Sequence, residues 1–107
     1  MKPEIVIALY RPHPGKEAEL RALIARHVPT LRRLELVTDR PPVLCRAADG
    51  THMEIFEWAT AEAADRAHHH PEVAKLWEPM GRIADFATLE SLEEVSRPFP
   101  HFEPVAV

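Results

Sequence analysis

A chain of 107 residues is one domain by size. It can bury roughly 60–70% of the surface its unfolded form exposes, which supports one two-layer core. Net charge is −4 with His neutral, and the 13 Lys and Arg are scattered, Arg32-Arg33 being the densest pair. That is no electrostatic footprint for nucleic acid. The single cysteine, Cys45, excludes an intrachain disulfide and fits a reducing compartment. The first apolar run is bounded by Glu4 and by Arg11-Pro12. It is too short for a signal peptide or a membrane span, so a soluble cytoplasmic protein is expected.

EIVIALYR (4–11) is β-branched and aromatic and stops at Pro-His-Pro-Gly, which predicts a strand. Both of its alternating faces are apolar, so it is expected to be covered on both sides. GKEAELRALIARHVPTLRRLEL follows, with Leu20, Leu23, Ile24, Leu31 and Leu34 at helical spacing and Glu17 and Glu19 near the favourable N-terminus. Pro29 is expected to kink this helix or divide it.

Asp49-Gly50 lies between VLCRAA and THMEIFEW, a pattern that predicts a hairpin with a two-residue type I′ turn. The register that follows sets Cys45 opposite Glu54 and Val43 opposite Phe56 on one face, with Leu44, Arg46, Met53 and Ile55 on the other. A carboxylate opposite Cys45 would raise its thiol pKa, making it a core residue rather than a nucleophile. Arg46 is expected to pair with Glu57 or an acidic helix residue.

TAEAADRAHH reads as a second helix with Thr60 as N-cap. PEVAKLWEPMGRIADF reads as a third, with Pro71 at the first position and an apolar stripe of Val73, Leu76, Trp77, Met80, Ile83 and Ala84, weakened late by Pro79 and Gly81. ATLESLEEV (87–95) is the expected last strand. The domain core is thus expected over about 4–95, with 96–107 a Pro-rich aromatic tail that crosses to a partner or covers a pocket mouth.

The order β-α-β-β-α-β, with the second helical region in two pieces, is the α+β ferredoxin-like arrangement: an antiparallel sheet with helices on one face. The leftover face carries either His52, Phe56 and Trp58 or Met53 and Ile55. Either set is too apolar to stay wet, and a homodimer through the sheet face covers it.

IALYRPHPGKEAELRALI and MEIFEWATAEAADRAHHHPEVAKLW carry a resemblance to the dimeric α/β-barrel superfamily, and within it to small antibiotic biosynthesis monooxygenase-type proteins. The match is to that family's first strand, Pro-Gly-Lys turn and first helix, and to its third strand ending in Trp, short helix and His-containing turn. The resemblance implies a dimeric α/β barrel and a cofactor-independent oxygenation of an aromatic or polyketide-like substrate. Its haem-degrading members use an Asn on the first strand, a Trp ending the third and a His on the next helix. Trp58 and His68 fall near the last two places, but Ala8 stands where the Asn would be, which argues against haem degradation. The resemblance further implies that Val6, Ala8, Tyr10, Val43, Cys45, His52, Glu54, Phe56 and Trp58 line the barrel interior, with Ile5, Ile7, Leu9, Leu44, Met53 and Ile55 under the helices.

His68-His69-His70 invites a metal reading. Consecutive helical residues point about 100° apart, and no His pair here has the i, i+4 spacing of a helical zinc site. A metal centre would need His68 to meet His52 or His101, and none is expected. The stretch reads instead as a solvated helix end. His68 keeps a pocket role through its place relative to Trp58. His52 and Glu54 share a strand face. A carboxylate buried there would have a raised pKa suited to proton transfer, with His52 as relay. The candidate catalytic set is therefore Glu54, His68 and His52, and the substrate-binding set is Tyr10, Phe56 and Trp58. In that scheme Glu54 or His68 deprotonates a phenol-like substrate, whose anion reduces oxygen directly. The rival reading is a non-catalytic ligand-binding or stress-associated dimer.

Overall fold

The computed structural model describes residues 2–106. Strand β1 (Glu4–Pro12) leads into helix α1 (Glu17–Arg33), then the hairpin of β2 (Val43–Arg46) and β3 (His52–Trp58). Helices α2 (Ala63–His68) and α3 (Pro71–Ile83) follow, then β4 (Ala84–Ala87), two short 3₁₀ turns, and β5 (Glu103–Pro104) in the tail. The sheet is antiparallel, in the order β4-β1-β3-β2-β5. The ferredoxin-like expectation therefore holds. No helix among the described residues is long and apolar enough to cross a membrane.

Four local expectations are corrected. First, α1 is continuous through Pro29. A proline near a helix end forfeits only one ladder bond, and the buried stripe of Leu20, Ile24, Val28 and Leu31 holds both sides of it to the sheet. Second, the hairpin slips by one residue. Ala47 N–H bonds the Thr51 carbonyl at 2.9 Å and Gly50 N–H bonds the Ala47 carbonyl at 3.0 Å, so three residues, not two, make the loop. Only Gly50 has positive φ, at 93°, whereas a type I′ turn needs two such residues. Leu44 then faces Glu54, Arg46 faces His52, Cys45 faces Met53 and Val43 faces Ile55. A one-residue slip turns every β2 side chain over.

Third, the last sheet strand is Ala84–Ala87, directly off α3, and residues 89–96 form the 3₁₀ turns instead. Glu94 fixes that segment, its carboxylate accepting from Ala48 N–H at 2.8 Å. Fourth, Thr60 does not cap α2, which begins at Ala63; its hydroxyl is sealed without a hydrogen-bond partner.

The faces of β1 and β3 are also reversed from expectation, whereas in β2 Leu44 lies under the helices and Cys45 on the opposite face, as expected. Tyr10, Leu44, Phe56 and Trp58 pack with Leu20, Ile24, Val28 and Leu31 of α1 and Val73, Leu76 and Met80 of α3. Tyr10, Phe56 and Trp58 thus form the helix-side core and do not line a barrel interior. The opposite face is partly covered in cis, where Leu9, Cys45 and Met53 lie under Leu92, Val95 and Phe102. The tail thus folds back on its own sheet, and β5 pairs with β2. Burial pushes the Cys45 thiol up; the facing residue is Met53, so the carboxylate cause expected from the sequence does not apply. Arg46 pairs with Glu17 of α1, at 3.1 Å, and with Glu103 of the tail.

Candidate functional site

Alternation along β3 sends Glu54 under the helices, where only 2% of it is exposed. Directly over it lies α1. The apolar spacing of α1 runs Leu20, Ile24, Val28, Leu31, and His27 falls on the same stripe, 1% exposed. His27 Nδ1 stands 2.8 Å from Glu54 Oε1. On the neighbouring strand Ala8 is the partner of Glu54, and Tyr10, two residues on, shares its face. The Tyr10 hydroxyl donates to the same Oε1 at 2.8 Å. From α3 the Trp77 indole N–H donates to His27 Nε2 at 2.8 Å.

That last bond settles the imidazole tautomer. An indole nitrogen only donates, so Nε2 is the acceptor and Nδ1 carries the proton given to Glu54. The result is a directed chain, Trp77 to His27 to Glu54, with Tyr10 donating from the other side. Burial, reinforced by the Glu54 charge, holds the Tyr10 phenol well above its usual pKa, so it stays a donor.

A cavity of about 290 Å³ lies against this chain. Tyr10, Phe56, Trp58, Trp77 and Phe86 wall it, and His27 and His68 present imidazoles to it. Two features make the room. Ala8 is small, and β4 covers only Leu9–Pro12 of β1, leaving the rest of that edge open. The walls are edge-packed: Phe56 meets Trp58 with centroids 5.1 Å apart, and His27 meets Phe56 at 5.5 Å.

The candidates named from sequence divide. Glu54 and Tyr10 meet directly, and Phe56 and Trp58 line the cavity beside them. His68 is exposed, at the end of α2, its ring edge-on to Trp77 at 4.8 Å between centroids. His52 lies elsewhere. It is fully buried, receives Arg21 Nε–H at Nε2 (3.2 Å), and so donates from Nδ1 to the Gly50 carbonyl (3.0 Å). It ties the hairpin turn to α1 and does not touch Glu54's partners, so the relay expected of it is corrected. Burial pushes its pKa down. The other two histidines of the triple-histidine run cap helices: His69 Nδ1 binds the Asp65 carbonyl at 2.9 Å at the end of α2, and His70 Nδ1 accepts from Glu72 N–H at 3.2 Å at the start of α3. AHHHPEV is a helix junction.

His27 and the polar use of Trp77 escaped the sequence reading. One signal existed: a histidine three residues after Ile24 and four before Leu31, inside an apolar stripe, must find a buried partner.

No protein-family model matches the chain, and no curated protein matches it in sequence. Among solved structures, tetracenomycin F2 cyclase from Streptomyces glaucescens, a type-II polyketide cyclase, superposes with a TM-score of 0.57 at 20% identity, covering 97% of this chain and 92% of that one. That likeness shows the fold alone, an α+β ferredoxin-like arrangement that this chain shares with the cyclase.

Proposed function

We propose that the chain binds a polyketide-like aromatic molecule in this cavity and transfers a proton on it, without a cofactor, through the His27–Glu54 pair. The carrying observation is the chain of three 2.8 Å hydrogen bonds ending on Glu54 Oε1 at the wall of an apolar aromatic cavity. A carboxylate behind an imidazole fixes its tautomer and orientation, the arrangement of a general base. The cavity volume is at the small end for ligand sites, sized for a few fused rings.

Substrate displaces the Trp77 N–H from His27 Nε2, which then removes a proton from a carbon or oxygen acid conjugated to a carbonyl. The electron pair stays on the substrate as an enolate or phenolate, and Glu54 stabilises the imidazolium. In ring closure, the enolate carbon attacks a carbonyl of the same molecule, and the new alkoxide takes the proton back from Nε2. The site's own groups complete that sequence, and a polyketide cyclase of the same fold supports it. The oxygenase expectation from the sequence shares the first step. Its anion is oxidised by molecular oxygen, one oxygen atom entering the substrate in place of two hydrogens and the other leaving as water.

A homodimer through the open sheet face belongs to this reading. Ile5, Ile7 and Val43 are 54%, 44% and 56% exposed in one chain and form an apolar strip beside the part the tail covers.

The test is a panel of polyhydroxylated aromatic ketones. Binding is followed by quenching of Trp58 and Trp77, and turnover by product analysis with an oxygen electrode. His27→Ala should lower turnover about 10²–10⁴-fold, the usual worth of general base catalysis. Oxygen uptake matched to product selects the oxygenase continuation. Binding without any turnover selects the carrier reading and ends the catalytic one.

A further inference from the structure

A second cavity, of about 300 Å³, lies on the far side of the same carboxylate, between α1 and β2. Glu54 sits at its floor, Ala25, Pro29 and Arg32 form the α1 side, and Pro42 and Leu44 the other. Both hydrogen bonds to Glu54 end on Oε1. Among the described residues Oε2 has no partner, yet the only fully sealed side-chain polar atom lacking one is Thr60 Oγ1. Oε2 therefore keeps contact with open space, and the second cavity supplies it.

Pro29 explains the rest of the lining. It has no N–H to offer the Ala25 carbonyl one turn before, and both residues line the same cavity. Glu54 Oε2 and the Pro29 break border a space roomy enough for several waters. Arg32, which lines this cavity while its guanidinium donates to the Thr38 and Arg40 carbonyls, disfavours a cationic ligand there, and water is the donor that fits.

We propose that Glu54 is a two-sided carboxylate: Oε1 serves the substrate cavity through His27 and Tyr10, and Oε2 opens to a water-filled outlet floored on the Pro29 break. This rests on the proton-transfer reading above. A proton received at His27 Nε2 leaves from Nδ1 to Oε1. Rotation about the Cγ–Cδ bond exchanges the two oxygens, and the proton passes to water. His27 then holds its proton on Nε2 and Glu54 is ionised; when Nε2 gives that proton to the product alkoxide, the same water returns one through Glu54 to Nδ1, which restores the starting tautomer.

Exchange of the His27 Nδ1–H with solvent reads the outlet directly, in ligand-free, ¹⁵N-histidine-labelled protein by NMR. Ala25 is solvent-facing on α1, so Ala25→Leu narrows the outlet while keeping the helix. It should slow that exchange at least about tenfold, whereas Ala8→Val, which narrows only the substrate cavity, should leave it within about twofold. Equal exchange in Ala25→Leu and wild type, or slowing by Ala8→Val alone, overturns the outlet. Pro29→Ala, which restores the missing N–H, gives a second arm: slower exchange supports the outlet, and unchanged exchange counts against it. Substrate quenching and turnover are read separately. An active enzyme with unaltered exchange rejects the outlet alone, and slowed exchange in a protein that turns nothing over rejects only the catalytic reading.

Discussion

Replacing Glu54 separates the structural work of the carboxylate from its chemistry. Oε1 satisfies two buried donors, Tyr10 O–H and His27 Nδ1–H, each at 2.8 Å, and the residue is 2% exposed. Glu54→Leu removes the acceptor and leaves both donors unpaired. At about 1–3 kcal/mol per orphaned donor, the expected cost is about 2–6 kcal/mol. Glu54→Gln keeps an amide oxygen at the Oε1 position, able to accept both, and turns its NH₂ toward the second cavity. Charge-assisted bonds become neutral ones, a loss of about 1 kcal/mol each, offset by no longer holding a charge away from bulk water. Glu54→Gln should therefore lie within about 2 kcal/mol of wild type. Chemical denaturation with a common slope measures both, and in a domain of this size each 1 kcal/mol moves Tm by about 4–8 °C. Turnover orders the variants differently: the neutral amide cannot stabilise the His27 imidazolium, so Glu54→Gln should lose about 10²-fold or more while staying folded. A fully stable Glu54→Leu would refute the hydrogen-bond account, and a fully active Glu54→Gln would refute the role as charge partner of the base.

His52 predicts a pH effect. Its folded pKa is pushed below the model-peptide value of about 6.5 by burial, so the unfolded chain binds the proton more readily. The stabilisation is present above about pH 6.5 and is lost as pH falls through the folded value. Urea midpoints at pH 7.5 and 5.5 should differ in wild type, and the difference should shrink in His52→Gln; an undiminished difference places the titration on another group. For the sheet face, Val43→Lys puts a charge on the exposed apolar strip without touching the cavity. Light scattering should give twice 12.2 kDa for wild type and 12.2 kDa for the variant; a monomeric wild type rejects pairing through this face.

The sequence alone determined the elements from β1 to α3, because periodicity is local. Alternation in 4–11 and 52–58, the stripe of α1, Pro71 opening α3 and the split at AHHHPEV all follow from neighbours within one or two turns of chain. It also brought out Glu54 and Tyr10 as polar groups on otherwise apolar strands. Which face of the sheet those groups occupy was a tertiary decision. β1 and β3 are apolar on both sides, so alternation told the two faces apart without saying which meets the helices. The hairpin register hung on one loop residue, and Asp49-Gly50 serves a three-residue loop as well as a two-residue turn. The last strand went to ADFA over the more strand-like ATLESLEEV because α3 delivers the chain to the open edge of β1 at Ala84, while the later segment is drawn under the sheet by Leu92 and pinned by Glu94. The site itself needed the fold most. His27 lies 27 residues from Glu54 and 50 from Trp77 along the chain, and only packing α1 and α3 on one sheet face brings the base within 2.8 Å of its carboxylate on one side and of its capping indole on the other.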